Sequence, residues 1–130
     1  MKEATEQGLA VYEQLRGTER ANRMKATIDD ATFGASMTEL SMDFVFGSVW
    51  AREGLDQRAR SLVTLGILIA LRQRNELKNH VEIALTNGLT ADEIEEVMIQ
   101  ASAYAGFPAA RDASNAAAEA LETLGFGRGK

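Results

Sequence analysis

Apolar residues along this chain recur at three- and four-residue intervals far more often than in strict alternation, the pattern of amphipathic helices rather than half-buried strands. Leu9, Tyr12 and Leu15 share one side of a segment over Glu3–Arg16, and Gly17 ends it. Thr18–Asp30 is highly charged and reads as a short helix followed by a turn. From Thr32 to Val49 a helical period returns through Phe33, Met37, Leu40, Phe44 and Val45. Residues 52–56 form a loop that delivers Asp56 as the N-cap of the next helix.

The pattern then changes. Gln57–Leu71 contains SLVTLGILIAL, which is apolar on nearly every side. Such a helix belongs in the middle of a domain or in a subunit interface. A further helix from about Asn75 to Thr86 ends at Asn87-Gly88, a strong C-cap signal. Thr90 and Glu93 make a capping box that opens a helix through Ala103. Gly106-Phe107-Pro108 breaks the chain, with Pro108 early in a final alanine-rich helix to about Leu124. Residues 125–130 read as a frayed tail. The expectation is one all-α domain over residues 1–130, with six helices, short connections and a core over about 32–124.

Composition narrows the function. A chain of 130 residues, 45% hydrophobic and 25% charged, suits a single globular domain. No apolar run approaches the roughly 20 residues that span a bilayer. The N-terminus lacks the apolar segment of a secretory signal, so a cytoplasmic location is the default expectation. With 14 Lys+Arg against 19 Asp+Glu, the net charge of −5 argues against a nucleic-acid partner. A local arginine cluster can still hold a small anion. There is no cysteine, which excludes disulfides, thiolate metal sites and cysteine nucleophiles. One histidine and scattered carboxylates offer no spaced metal-ligand set.

Three groups of residues could carry chemistry. The only histidine, His80, lies one helical turn after Glu76, so the two share a face. The ordinary reading is a surface pair; the functional one is a proton shuttle at a cleft edge, because the pair flanks the apolar stripe Leu77, Val81, Ala84, Leu85. Arg52, Arg58 and Arg60, near Trp50, could bind carboxylates through paired N–H donors, although each alone is more simply a solvated helix end. Tyr104 is either a surface aromatic or a phenol directed into a pocket between two helices.

The stretch from Arg58, RARSLVTLGILIALRQRNELKNHVEIALTNGLTADEIEEVMIQASAYAGFPAA, resembles the core of the carboxymuconolactone decarboxylase family. R-S-L, E-L-x-x-H, N-G, E-I-x-E and Y-x-G-x-P recur in the family's order, and the likeness extends over about Phe44–Ala120. It is nearest the γ-carboxymuconolactone decarboxylase branch. In the related alkylhydroperoxidase D-like branch, a C-x-x-C pair precedes the histidine; here Gln73 and Glu76 stand at those positions and His80 is kept. The resemblance implies an all-helical alkylhydroperoxidase D-like fold assembling into homotrimers or homohexamers. It also implies a cofactor-free carboxy-lyase converting γ-carboxymuconolactone to β-ketoadipate enol-lactone in aromatic degradation. His80 and Glu76 would relay the proton with Tyr104 assisting, while Arg58, Arg60, Trp50 and Arg52 bind the lactone carboxylate. The alternatives are isomerisation or hydrolysis of another lactone or keto acid, and a non-catalytic helical assembly.

Thiol chemistry is the branch point that can be tested directly. Peroxide or disulfide reduction of the related kind needs a thiolate. The pure protein should therefore give no thiol-dependent peroxide turnover in a coupled assay, and robust turnover would contradict the residue inventory.

Overall fold

The computed structural model describes residues 1–126 and is helical in all its regular elements. The elements are α1 (Glu3–Arg16), α2 (Thr18–Asp30), α3 (Ala35–Leu40) continuing as a π-helical segment (Ser41–Val49), α4 (Gln57–Ala70), α5 (Arg74–Thr86), α6 (Ala91–Ala105) and α7 (Phe107–Thr123). Two departures from expectation stand out. Thr18–Asp30 is helical over its whole length, so there are seven α-helices among the described residues rather than six. The expected helix over Thr32–Val49 starts later and changes type at Ser41. Among the described residues, no helix is long and apolar enough to cross a membrane. The chain divides into two compact units, Met1–Leu55 and the residues from Asp56 onward.

The first unit is built on close approach of α1 to the π-helical segment. A Cβ on Gly8 would stand 1.8 Å from the Met42 carbonyl oxygen, and one on Gly47 2.7 Å from the Ala4 carbonyl. Only the missing side chains let the two backbones meet. Around that contact Leu15, Met42 and Phe46 are buried, and the Tyr12 and Phe46 rings meet edge to face at 4.9 Å. Fully buried Thr5 donates its hydroxyl to Asp43, with the Lys2 ammonium 2.9 Å from the same carboxylate. The Thr5 hydrogen bond, then Lys2, holds the Asp43 carboxyl below its usual range.

The apolar period over this region points the opposite way from expectation. Phe33, Met37, Leu40, Phe44 and Val45 are exposed, while Met42, Phe46 and Trp50 are buried. The helix type changes within this region. Trp50 N–H donates to the Val45 carbonyl five residues back, at 2.9 Å. Each turn of such a helix takes more residues than an α-turn, which shifts the faces after Ser41 away from a regular α-helical register.

The second unit packs α4, α5, α6 and α7 around one core. Leu65 and Ile69 meet Leu77, Val81 and Ala84 of α5, Ile94 and Met98 of α6, and Ala113, Ala116 and Ala117 of α7. Asp56 caps α4 by accepting from Ala59 N–H at 2.7 Å, and the Thr90–Glu93 capping box opens α6. Val63, Ile67 and Leu71 are more than half exposed, so α4 is not central in the single chain. Past α7, Phe126 N–H still bonds the Leu121 carbonyl at 2.8 Å; the rest of the expected frayed tail lies outside the described residues.

Gly8→Ala tests the close approach in the first unit. Overpacking of this kind costs about 1–3 kcal/mol, so the variant should melt earlier than wild type by circular dichroism; an unchanged transition would disprove the contact.

Candidate functional site

The second unit holds α5 at both ends. Near its start, Arg74 donates to the Asp112 carbonyl at 3.2 Å and to the Asp112 carboxylate at 3.1 Å, and it also pairs with Glu119. Lys78 reaches Glu119 at 3.4 Å. At the far end, the Asn87 amide donates to the Gln57 carbonyl at 3.3 Å and to the Ser61 hydroxyl at 2.9 Å. Ser61 is fully buried, so this hydrogen bond satisfies a group that water cannot reach. The Asn87-Gly88 pair therefore does two jobs: it ends α5, with Gly88 at φ +97°, and it ties that end to the start of α4.

His80 lies between these anchors. Leu77, Val81 and Ala84 point into the core, which turns His80 to the flank of the buried stripe. Its side chain is only 11% exposed, whereas that of Glu76 is 59% exposed, and His80 Nε2 stands 4.0 Å from Glu76 Oε2. That separation suits a charge–charge contact rather than a hydrogen bond. Asn79 reaches the other carboxylate oxygen of Glu76 at 3.4 Å. The arrangement gives an enclosed imidazole beside a carboxylate that solvent and ligands can approach.

A second feature lies between α4 and α6. The successive hairpins α4–α5 and α5–α6 set α4 and α6 running the same way, with an open groove of about 660 Å³ between them. Its floor is Leu62, Gly66, Ala70, Val97, Ala101 and Ala105. Arg58 lines one part, and Tyr104 lines it from the last turn of α6, with its side chain largely exposed. Arg58 pairs with one carboxylate oxygen of Glu93 while the other accepts from Thr90 N–H in the capping box.

The structure therefore brings Arg58 and Tyr104 to one groove and Glu76 to His80 on α5, but His80 does not line that groove. Arg60 is half-buried near the start of α4. Trp50, buried, and Arg52, exposed, belong to the first unit. Three groove residues escaped the sequence reading: Gly66, Glu96 and Gln100. For Glu96 and Gln100 the signal was present, because Glu93, Glu96, Val97, Gln100, Ala101 and Tyr104 repeat at one-, three- and four-residue steps along α6 beside its core face at Ile94 and Met98; Gly66 on α4 gave none. Among the described residues, no group of three or more His, Asp or Glu side chains is placed to hold a metal ion.

Residues 35–119, more than half of the chain, match the model of the carboxymuconolactone decarboxylase family. The chain belongs to that family. It is 37% identical to a 4-carboxymuconolactone decarboxylase of Acinetobacter baylyi over 92% of this chain and 88% of the relative. It is 34% identical to the nitrosuccinic acid decarboxylase of Metarhizium robertsii, over 83% of this chain and 74% of that protein. An uncharacterised 15.0 kDa protein of Paracoccus denitrificans is 36% identical over 55% of each. In this member, His80 and Glu76 fall within the matched region, as do all the groove residues.

Asn87→Ala tests the anchoring of α5. It should lower unfolding free energy by about 1–3 kcal/mol, because the buried Ser61 hydroxyl loses its partner. Urea titration measures the loss; stability equal to wild type would show that the tie carries no weight.

Proposed function

We propose that this chain is a decarboxylase of γ-carboxymuconolactone or a closely similar lactone acid, with His80 delivering the proton and Glu76 orienting it. The enzyme class, a carboxy-lyase, rests on the family and on two relatives named as decarboxylases. The observation that carries the residue roles is the nearly enclosed His80 side chain beside the exposed Glu76 carboxylate at 4.0 Å.

The chemistry asks little of a protein. As CO₂ leaves, the electron pair of the broken C–C bond flows through the conjugated C=C to the lactone carbonyl oxygen. The substrate is its own electron sink, so the reaction needs no cofactor to take up the electrons. The protein must bind an anion, stabilise the furanolate oxygen and protonate the ring α-carbon. Protonation falls to His80, whose imidazole is held away from bulk water on an anchored helix. Glu76 keeps the ring oriented and its cationic form compensated. Carboxylate binding falls to Arg58 and Arg60, where Arg58 exchanges Glu93 for substrate. Tyr104 is a further candidate, for assisting the oxyanion. The working form is a homotrimer or homohexamer, and its place is in the breakdown of aromatic compounds to β-ketoadipate enol-lactone.

A second reading follows from the nitrosuccinic acid relative. A nitro group beside a departing carboxylate also accepts electrons within the substrate. The same demands, anion binding and proton delivery to carbon, would suit a non-lactone acid in this scaffold.

His80→Ala should reduce kcat with the authentic lactone by about 10²–10⁴, the usual worth of a general acid, with helical content unchanged by circular dichroism. Glu76→Gln should cost less. Loss of the lactone's ultraviolet absorbance with CO₂ release is the readout; a folded His80→Ala enzyme at wild-type rate would overturn the assignment. Turnover of nitrosuccinate but not the lactone would favour the second reading.

A further inference from the structure

Glu93 divides its two carboxylate oxygens between two partners. Oε1 accepts from Thr90 N–H at 3.0 Å, and Thr90 Oγ1 accepts from Glu93 N–H at 3.1 Å, which closes the capping box at the start of α6. Oε2 pairs with a terminal nitrogen of Arg58, and both residues line the α4–α6 groove. The capping box fixes where the Glu93 side chain stands. Its second oxygen is therefore presented to Arg58 in one position, with less of the side-chain entropy loss that weakens most exposed ion pairs.

The same box limits what Glu93 can give. A guanidinium binds a carboxylate best through two parallel N–H···O bonds, but Oε1 is turned to Thr90 and Arg58 receives Oε2 alone. A carboxylate arriving in the groove has both oxygens to offer. Its apolar part would rest on Leu62, Val97 and Ala101. The side chains of Arg58 and Glu93 are 43% and 40% exposed, so such a ligand can reach the pair.

We infer that Glu93 is a built-in competitor for the substrate carboxylate: it occupies Arg58 in the empty groove and so sets how tightly the groove binds its acid. The inference rests on the substrate role proposed for Arg58. Binding then exchanges one ion pair for a better-matched one, and Arg58 is compensated before and after. The capping box survives the exchange because it uses the other oxygen of Glu93.

Glutamine separates the two jobs, since it can keep the capping box but lacks the charge that holds Arg58. Glu93→Gln should lower KM for the lactone acid about two- to fivefold, the worth of an exposed ion pair, with its helices intact by circular dichroism. Glu96→Gln removes a charge from the same groove without freeing Arg58 and should lower KM less. In an Arg58→Ala background, Glu93→Gln should have no effect on KM, because no guanidinium is left to release. A second readout needs no turnover: phenylglyoxal, followed by peptide mass spectrometry, should modify Arg58 at least about twofold faster in Glu93→Gln, since the ion pair keeps the guanidinium charged and covered. Unchanged KM or unchanged Arg58 reactivity in Glu93→Gln overturns the inference, as does a fall in KM that Glu96→Gln matches. If Arg58→Ala keeps the wild-type KM, the substrate role of Arg58 fails and this inference with it. The His80→Ala rate still decides the proton donor separately.

Discussion

Burial of Leu65 and Ile69 by three other helices is the contact on which the second unit depends. Those two side chains define which side of α4 is inward, and α5 must then present Leu77, Val81 and Ala84 to them. Alanines on α7 make this possible, because small side chains let its backbone approach a core already filled by leucine, isoleucine and methionine. Once α5 is turned this way, Glu76 and His80 fall on its flank by helical geometry alone. The polar anchors at its two ends, Arg74 to Asp112 and Glu119, and Asn87 to Ser61, hold that rotation in place. The placement of the candidate proton donor is thus a consequence of core packing.

Much of the second unit was legible in the sequence because its signals are local. Asp56, the Thr90–Glu93 box, Asn87-Gly88 and Pro108 each act on backbone groups within one turn, and each marks a helix end close to where it stands. The first unit was harder to read. A shift from four- to five-residue hydrogen bonding at Ser41 carries no short motif, and the buried residues here are Met42, Phe46 and Trp50 while the periodic Phe33, Met37, Leu40 and Phe44 are exposed. Gly8 and Gly47 gave no warning either, since a glycine required by backbone approach looks in sequence like any other. For the site, the i, i+4 relation of Glu76 and His80 was visible at once. Which arginines share a groove with Tyr104 was not, because that depends on the pairing of α4 with α6.

The groove also shows why an acidic protein needs its cations placed locally. With a net charge of −5, the long-range field would repel the anionic substrate proposed above. At about 8 Å of screening in physiological salt, only charges near the bound acid matter. Arg58 meets Glu93, an exposed pair whose attraction is modest in water. Such a pair can open for a better-matched carboxylate at little cost, whereas Arg74, tied to both Asp112 and Glu119, is committed to holding α5 against α7.

Position 76 connects the inventory of this member to its chemistry. In the related thiol-dependent branch, from whose pattern this sequence departs, a cysteine stands where this chain has Glu76, one helical turn before the shared histidine. A thiolate there can be oxidised; a carboxylate cannot, but it can orient an imidazole and offset its charge. A carboxylate keeps the helical spacing that brings the two groups to one face and suits the proposed proton transfer. A decarboxylation in which the substrate itself accepts the electrons needs only the second kind of partner. On the proposed reading, the residue one turn before His80 is what fits this helix face to proton transfer.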